Sequence, residues 1–213
     1  YLLFWPEPCY YEPTIRDLGG VIHRLPYLTD VGLVSWLRQL GRFFRTHPQY
    51  RIVHSHLNTV SGPILSMAKR AGVPVRIAHS HNTHPRYPLY QRPIKAFFRL
   101  LVVPSATHRM ACSQPAGAWL FGPNRMAIGT HLLRNAIDLH AFSYRWPEAL
   151  LQELALEGKH IIGHVGGFRA QKNHAFLIDL MPELVERNPD VVLVLVGDGP
   201  LRPEMERRVA QRG

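Results

Sequence analysis

Short apolar runs rich in valine and isoleucine, each stopped by glycine, proline or histidine, alternate along this chain with stretches whose apolar residues recur at helical spacing. In the last third, "IIGHVGG" ends in two glycines and "VVLVLVGDGP" repeats that grammar about thirty residues later. The segment between them predicts a helix with Phe176, Leu177, Leu180, Leu184 and Val185 on its apolar face. Pro182 lies inside that helix, and a mid-helix proline costs roughly 3 kcal/mol unless the backbone gives way. A kink at Met181 to Pro182 is therefore expected. Two parallel strands joined by one helix follow from this order.

The first half repeats the theme. A helix ending at Gly19 and Gly20 leads to a strand from Val21 to Leu25. Asp30 is placed to cap a helix from Val31 to Thr46, with Leu33, Trp36, Leu37, Leu40 and Phe44 inward and Arg38, Arg42 and Arg45 outward. "RIVHSH" reads as a strand, Gly62 and Pro63 open the next helix, Gly72 closes it, and "VRIAHSHN" is the parallel partner strand. Pro93 starts a further helix in which Ile94, Phe97, Phe98 and Leu101 alternate with Arg92, Lys95 and Arg99. "MACS" is a brief strand, and Ser113 caps the helix that ends at Gly122. The linker "SYRWPEALLQELALEGK" carries one short helix and ends at Gly158. The architecture is α/β.

Composition narrows the class. The 213 residues are 46% hydrophobic, ample for buried sheets, yet no apolar run approaches the roughly 20 residues that cross a bilayer. The opening "YLLFWPEPCYYEP" lacks the basic start and small-residue cleavage site of a signal peptide. Cys9 and Cys112 are too few for a disulfide framework or zinc knuckle, and Cys112 reads as a small core residue. A cytoplasmic protein is expected. The formal charge of +10, with 21 of 25 basic residues being arginine, favours an anionic partner. No basic run with interleaved aromatics follows a nucleic-acid pattern, so nucleic acid is not expected.

Ligands of open parallel sheets bind at the carboxyl ends of the strands. Gly166, Gly167 and Lys172 therefore lie where a phosphate would sit, beside amides at the start of a helix. The bland alternative is an ordinary βαβ unit with solvated Arg169 and Lys172. Two glycine turns and a basic loop on one sheet edge exceed what such a unit needs.

"GHVGGFRAQKNHAFLIDL", followed by "LVLVGDGPLRPEME", resembles the opening of the donor domain in family 4 retaining glycosyltransferases (glycosyl transferases group 1). The resemblance covers essentially the whole chain and implies two facing Rossmann-like domains, the GT-B fold, both incomplete in this chain. It implies an acceptor-binding domain at 1–145, a linker at 146–158 and the beginning of a nucleotide-sugar domain at 159–213, with the active site in the cleft between them. The donor, a UDP- or GDP-sugar, would be held by Gly166, Gly167, Arg169, Lys172, Asn173, Gly197 and Gly199. Lys172 would neutralise the leaving diphosphate. The family usually has arginine directly after the first glycine; here that position is Gly167, and Arg169 stands two residues on. "NAID", with Asn135, Ile137 and Asp138, resembles the family's "NGID" signature and is read as a hinge element. The family's paired glutamates, seven residues apart, do not occur before Gly213, so the 213 residues alone are expected to have little or no transferase activity. No cofactor is implied beyond the donor itself.

His54, His56, His79 and His81 form two His-x-His pairs at neighbouring strand ends, and alternation points both members of a pair to one side. Such pairs suit a zinc-dependent hydrolase, but no carboxylate accompanies either one. No metal is therefore expected. The resemblance places His81 against the donor sugar, giving it a catalytic role alongside Lys172; His54 and His79 are read as core or sheet-edge residues with satisfied ring nitrogens. A degenerate, non-catalytic nucleotide-binding module is a further alternative, opened by Gly167. The acceptor implied is a glycan or lipid-linked saccharide of capsular or exopolysaccharide type. Arg92, Lys95, Arg99 and Arg109 are candidates for contact with an anionic membrane surface.

Overall fold

The computed structural model describes every residue except 6, 84–86, 141, 143–147 and 213. The chain forms two compact units, Tyr1–Ile137 and Asp138–Gly213. The first begins with β1 (Leu2–Leu3), α1 (Glu12–Asp17) and β2 (His23–Arg24), the two strands pairing in parallel. The strand expected from Val21 to Leu25 is thus two residues long, because its partner offers only Leu2 and Leu3 to the ladder. Buried Glu12 ties this corner together, accepting from the Cys9 amide at 2.9 Å and pairing with Arg24.

α2 (Leu28–Thr46) starts earlier than its sequence suggests and is broken at Gly32, whose φ of 74° and ψ of 161° leave the helical region. Asp30 stands in the short turn before the break and accepts from Thr29 Oγ1 at 3.1 Å, so it is not the cap of the long segment. Beyond Gly32 the predicted face holds. Trp36, Leu40 and Phe44 are buried against Ile64, Met67, Ala68 and Val73, with Leu33 and Leu37 at the margin. Removing such large side chains from water stabilises the unit by roughly 1.5–3 kcal/mol each.

The main sheet follows as β3 (Ile52–Ser55), α3 (Ser61–Arg70), β4 (Val75–Ser80), α4 (Arg92–Ser105), β5 (His108–Ala111), α5 (Gln114–Phe121), α6 (Pro123–Ala127) and β6 (Thr130–Leu132). Its strands run parallel in the order β3-β4-β5-β6. Alternation decides its faces. Ser55 Oγ donates to Ser61 Oγ at 2.8 Å and Ser80 Oγ to the Ala116 carbonyl at 2.7 Å, while Ala78 packs among Leu65, Val102 and Leu120. The histidines between these residues are therefore sent to the opposite face. Helices α3 and α4 are nearly in backbone contact: a Cβ on Gly62 would stand 2.1 Å from the Phe98 carbonyl oxygen. Phe98 and Val102 of α4 are buried, whereas Phe97 and Leu100 are exposed. Ser113 caps α5, accepting from the Ala116 amide at 3.3 Å, and Gly122 ends it with φ 92°.

The second unit contains α7 (Glu148–Glu153), β7 (His160–Val165), α8 (His174–Arg187), β8 (Val191–Val196) and α9 (Arg202–Ala210). Strands β7 and β8 pair in parallel along all six residues. The core consists of Phe168, Ile178 and Met205 with Ala175, Leu193, Leu195 and Leu201 around them. The buried side of α8 is thus His174 and Ile178, while Phe176, Leu180 and Val185 are exposed, a correction to the face read from hydrophobicity. Docking of α9 sets that rotation: Asp179 on α8 receives Arg208 Nη2 at 2.5 Å and Nε at 2.8 Å, and Arg212 at 2.8 Å. The helix also runs through Pro182 as one element rather than restarting there. Pro182 itself is exposed, and lacking an N–H it makes no bond to the Ile178 carbonyl. Among the described residues no helix is long and apolar enough to cross a membrane.

Candidate functional site

In the second unit the two glycine turns latch onto each other beyond the strand ends. The Gly166 amide donates to the Val196 carbonyl at 2.9 Å, the Phe168 amide to the Asp198 carbonyl at 2.9 Å, and the Leu201 amide to the Phe168 carbonyl at 3.0 Å. The fit needs glycine. A Cβ on Gly197 would lie 2.3 Å from the Gly166 oxygen, and one on Gly199 would lie 2.8 Å from the Phe168 nitrogen and oxygen. Both residues also hold positive φ, 148° and 155°.

This latch uses the Gly166 amide, which is therefore not available to an anion, contrary to the reading from sequence. The Gly167 amide has no partner among the described residues and remains open. Lys172 sits in a 3-10 turn over Ala170–Lys172, its amide held by the Arg169 carbonyl at 2.9 Å. Its methylene stem crosses Gly166, where an added Cβ would be 3.2 Å from Lys172 Cδ and Cε. Neither the Lys172 ammonium nor the Arg169 guanidinium pairs with a carboxylate among the described residues, and both residues are exposed. Asn173, in the left-handed conformation with φ 50°, turns the chain into α8 without a side-chain cap, so the first amides of that helix stay unoccupied by it. The site therefore brings Gly166, Gly167, Lys172, Asn173 and Gly197 to one corner. A hollow of about 490 Å³ lined by Phe168, Ile178, Leu195, Met205 and Val209 opens beside Gly197. Its walls also carry Arg202 and Glu206, paired with each other at 2.8 Å, and include neither Lys172 nor Arg169.

The sequence reading passed over Asp198, whose carbonyl holds the Phe168 amide and whose Oδ1 accepts from the Gly199 amide at 2.7 Å. The signal was present as an acid between two glycines in "GDG".

In the first unit, all four histidines of the His-x-His pairs share one face at the carboxyl ends of β3 and β4. His54 Nε2 lies 3.2 Å from His79 Nδ1, and His56 Nδ1 lies 2.8 Å from His81 Nε2. Ring centroids within the group are 4.1 to 5.3 Å apart. His79 is only 3% exposed, and its Nε2 has no hydrogen-bond partner among the described residues. The expectation of satisfied ring nitrogens thus fails for His79, because β3 and β5 flank it on both sides; His54, on the edge strand, is exposed. Burial, then the charges of His81, His56 and His54, pushes His79 down to about 4. His54 and His56 are lowered by burial first and by neighbouring imidazoles second. His54, His56 and His79 are thereby biased towards the neutral form. The His81 amide donates to Asn58 Oδ1 at 3.2 Å, fixing the turn after β4.

The sequence profile described as "Glycosyl transferases group 1" matches residues 148–213. The chain is 36% identical over 219 aligned residues to EpsF of Bacillus subtilis (strain 168), provisionally named a glycosyltransferase; the alignment takes in 100% of this chain and 57% of EpsF. Two crystal structures of Anabaena Alr3699/HepE, one in complex with UDP and one with UDP and glucose, superpose on the whole chain with TM-scores of 0.72 and 0.73 at 17% identity. In both, the match covers 58% of the HepE chain. The chain thus spans somewhat more than half the length of these relatives. The likeness to HepE identifies the fold as GT-B.

Proposed function

The chain belongs to the group 1 glycosyltransferases, and on that premise we propose that it transfers a sugar from a nucleotide-sugar donor, with retention, to a glycan or lipid-linked acceptor of exopolysaccharide type. The observation that carries this reading is the latched pair of glycine turns with the unpaired ammonium of Lys172 beside it. Backbone N–H groups and a fixed positive charge at a helix start stabilise a departing diphosphate more strongly than bulk water does, because they need no reorganisation as charge develops. Lys172 takes the diphosphate charge. Gly167 supplies an open amide, Arg169 reaches toward the same oxygens, and His81 addresses the sugar. HepE binds UDP and glucose, which supports a uridine nucleotide as donor. Among the described residues the imidazole group includes no carboxylate base, and the relatives favour transfer over hydrolysis.

Phe97 and Leu100 are exposed beside exposed Arg92 on α4, which supports contact with an anionic membrane surface from the cytoplasmic side. Arg99, also exposed, has its Nε engaged by the Leu120 carbonyl at 3.2 Å, and Arg109 donates to the Ile128 carbonyl at 3.2 Å. Co-sedimentation with vesicles should therefore fall on Arg92→Glu and depend on anionic lipid.

Calorimetric titration of UDP and GDP into the full-length protein tests the donor site. One nucleotide should bind, with affinity falling at least about tenfold in Lys172→Ala. Absence of binding by either nucleotide would favour the degenerate binding module.

A further inference from the structure

We infer that His54, His56 and His79 form a binding site for a borderline-soft divalent transition cation such as Zn²⁺, seated on the face of the first unit's sheet opposite α3 and α5. One ring nitrogen from each can be chosen so that the three lie within 4.8 Å of one another. A tetrahedral Zn²⁺ with nitrogens at about 2.0–2.1 Å would set them roughly 3.3 Å apart. The His54 to His79 separation of 3.2 Å already meets that spacing, and His56 needs only side-chain rotation on an exposed strand end.

The arrangement points to a cation rather than to packing alone: two strands in fixed parallel register deliver imidazoles from both to one spot, and the nitrogens that face each other, His54 Nε2 and His79 Nδ1, already stand at the separation a tetrahedral ion sets, so the donor set is preorganised by the sheet. The absence of an acid, which argued against a hydrolytic centre, does not argue against a cation held by nitrogen alone. Three nitrogens leave a fourth position open to water or an anionic oxygen. His81, whose Nε2 lies 2.8 Å from His56 Nδ1, steadies that ring from the second His-x-His pair.

The test uses the metal alone. The chelator-stripped chain is titrated with Zn²⁺ by calorimetry near neutral pH, with Co²⁺ as the spectroscopic probe. One ion per chain is expected, and Co²⁺ should give the intense visible bands of a four-coordinate nitrogen site. His54→Ala and His56→Ala, both at exposed positions, should each weaken binding at least about tenfold. His160→Ala, in the second unit, should leave it unchanged. His79→Asn should abolish uptake, and if that buried variant does not fold the two exposed variants still decide the question. Lack of stoichiometric uptake, or uptake unaltered in the His54→Ala/His56→Ala double variant, would overturn the site.

Discussion

Lys172 lays its methylene stem across Gly166, close enough that an added Cβ would meet Lys172 Cδ and Cε at 3.2 Å. The glycine is therefore part of the lysine's seat. Gly166→Ala should leave the fold intact, since only a flexible side chain has to move, but should tilt the ammonium away from the loop. We expect UDP affinity of the full-length protein to fall by about the tenfold expected for Lys172→Ala, with little change in Tm. Unchanged affinity would separate Lys172 from the donor.

The neighbouring glycines should behave differently. In Gly197→Ala the new methyl meets the Gly166 carbonyl oxygen at 2.3 Å in a backbone of φ 148°, so strain adds to collision. A loss of about 2–4 kcal/mol in urea unfolding is expected. Gly163→Ala on β7 meets nothing within 4 Å and should change stability by less than about 0.5 kcal/mol.

In the first unit, Gly62→Ala drives a methyl into the Phe98 carbonyl at 2.1 Å, where two helix backbones are already together. α3 and α4 must then separate, loosening Phe98 and Val102. The expected cost is more than about 2 kcal/mol, read as a fall in the urea midpoint at constant m.

Much of this was legible because strand ends and glycine turns are local signals. The parallel β7-α8-β8 unit, the caps at Ser113 and Gly122, and the inward face of α2 after Gly32 all follow from spacing. The rotation of α8 was not. Phe176 and Leu180 fit a helical stripe as well as His174 and Ile178 do, and partners distant in sequence choose between them: Met205 against Ile178, and Arg208 and Arg212 on Asp179. Likewise, alternation shows that His54 and His56 share a face, but the parallel register decides that His79 is enclosed beside them. Use of the Gly166 amide by Val196 depends on a partner strand about thirty residues away, which no local pattern encodes.

Asp179 has its carboxyl held below the usual range, first by the hydrogen bond from Arg208 and then by the charges of Arg208 and Arg212. Asp179→Asn should therefore loosen α9 selectively. Faster hydrogen exchange along Arg202–Ala210, with β7 and β8 unaffected, is the expected signature. Uniform exchange across the unit would show that the pair does not set the docking of α9.

His23 gives a pH dependence. Burial, and then the charge of His47, lowers its pKa; Nε2 lies 2.9 Å from Tyr50 Oη and the His47 ring is 4.8 Å away. A native value below the unfolded one, about 6.5, means the unfolded chain binds the proton more readily. This contribution is complete above that pH and is lost as pH falls through it toward the lower native value. The His23 ring resonance should titrate below about 6.5, and His47→Gln should move it upward.

The latch between the glycine turns has a consequence for how this corner can change. Its shape is written in main-chain atoms, while the charge it presents comes from Lys172 and Arg169, whose side chains hold nothing in place. Selectivity for an anion can therefore drift by single substitutions without endangering the scaffold, and an arginine introduced at position 167, where a Cβ would come no nearer than 3.4 Å to the Asp198 oxygen, has room to be accepted.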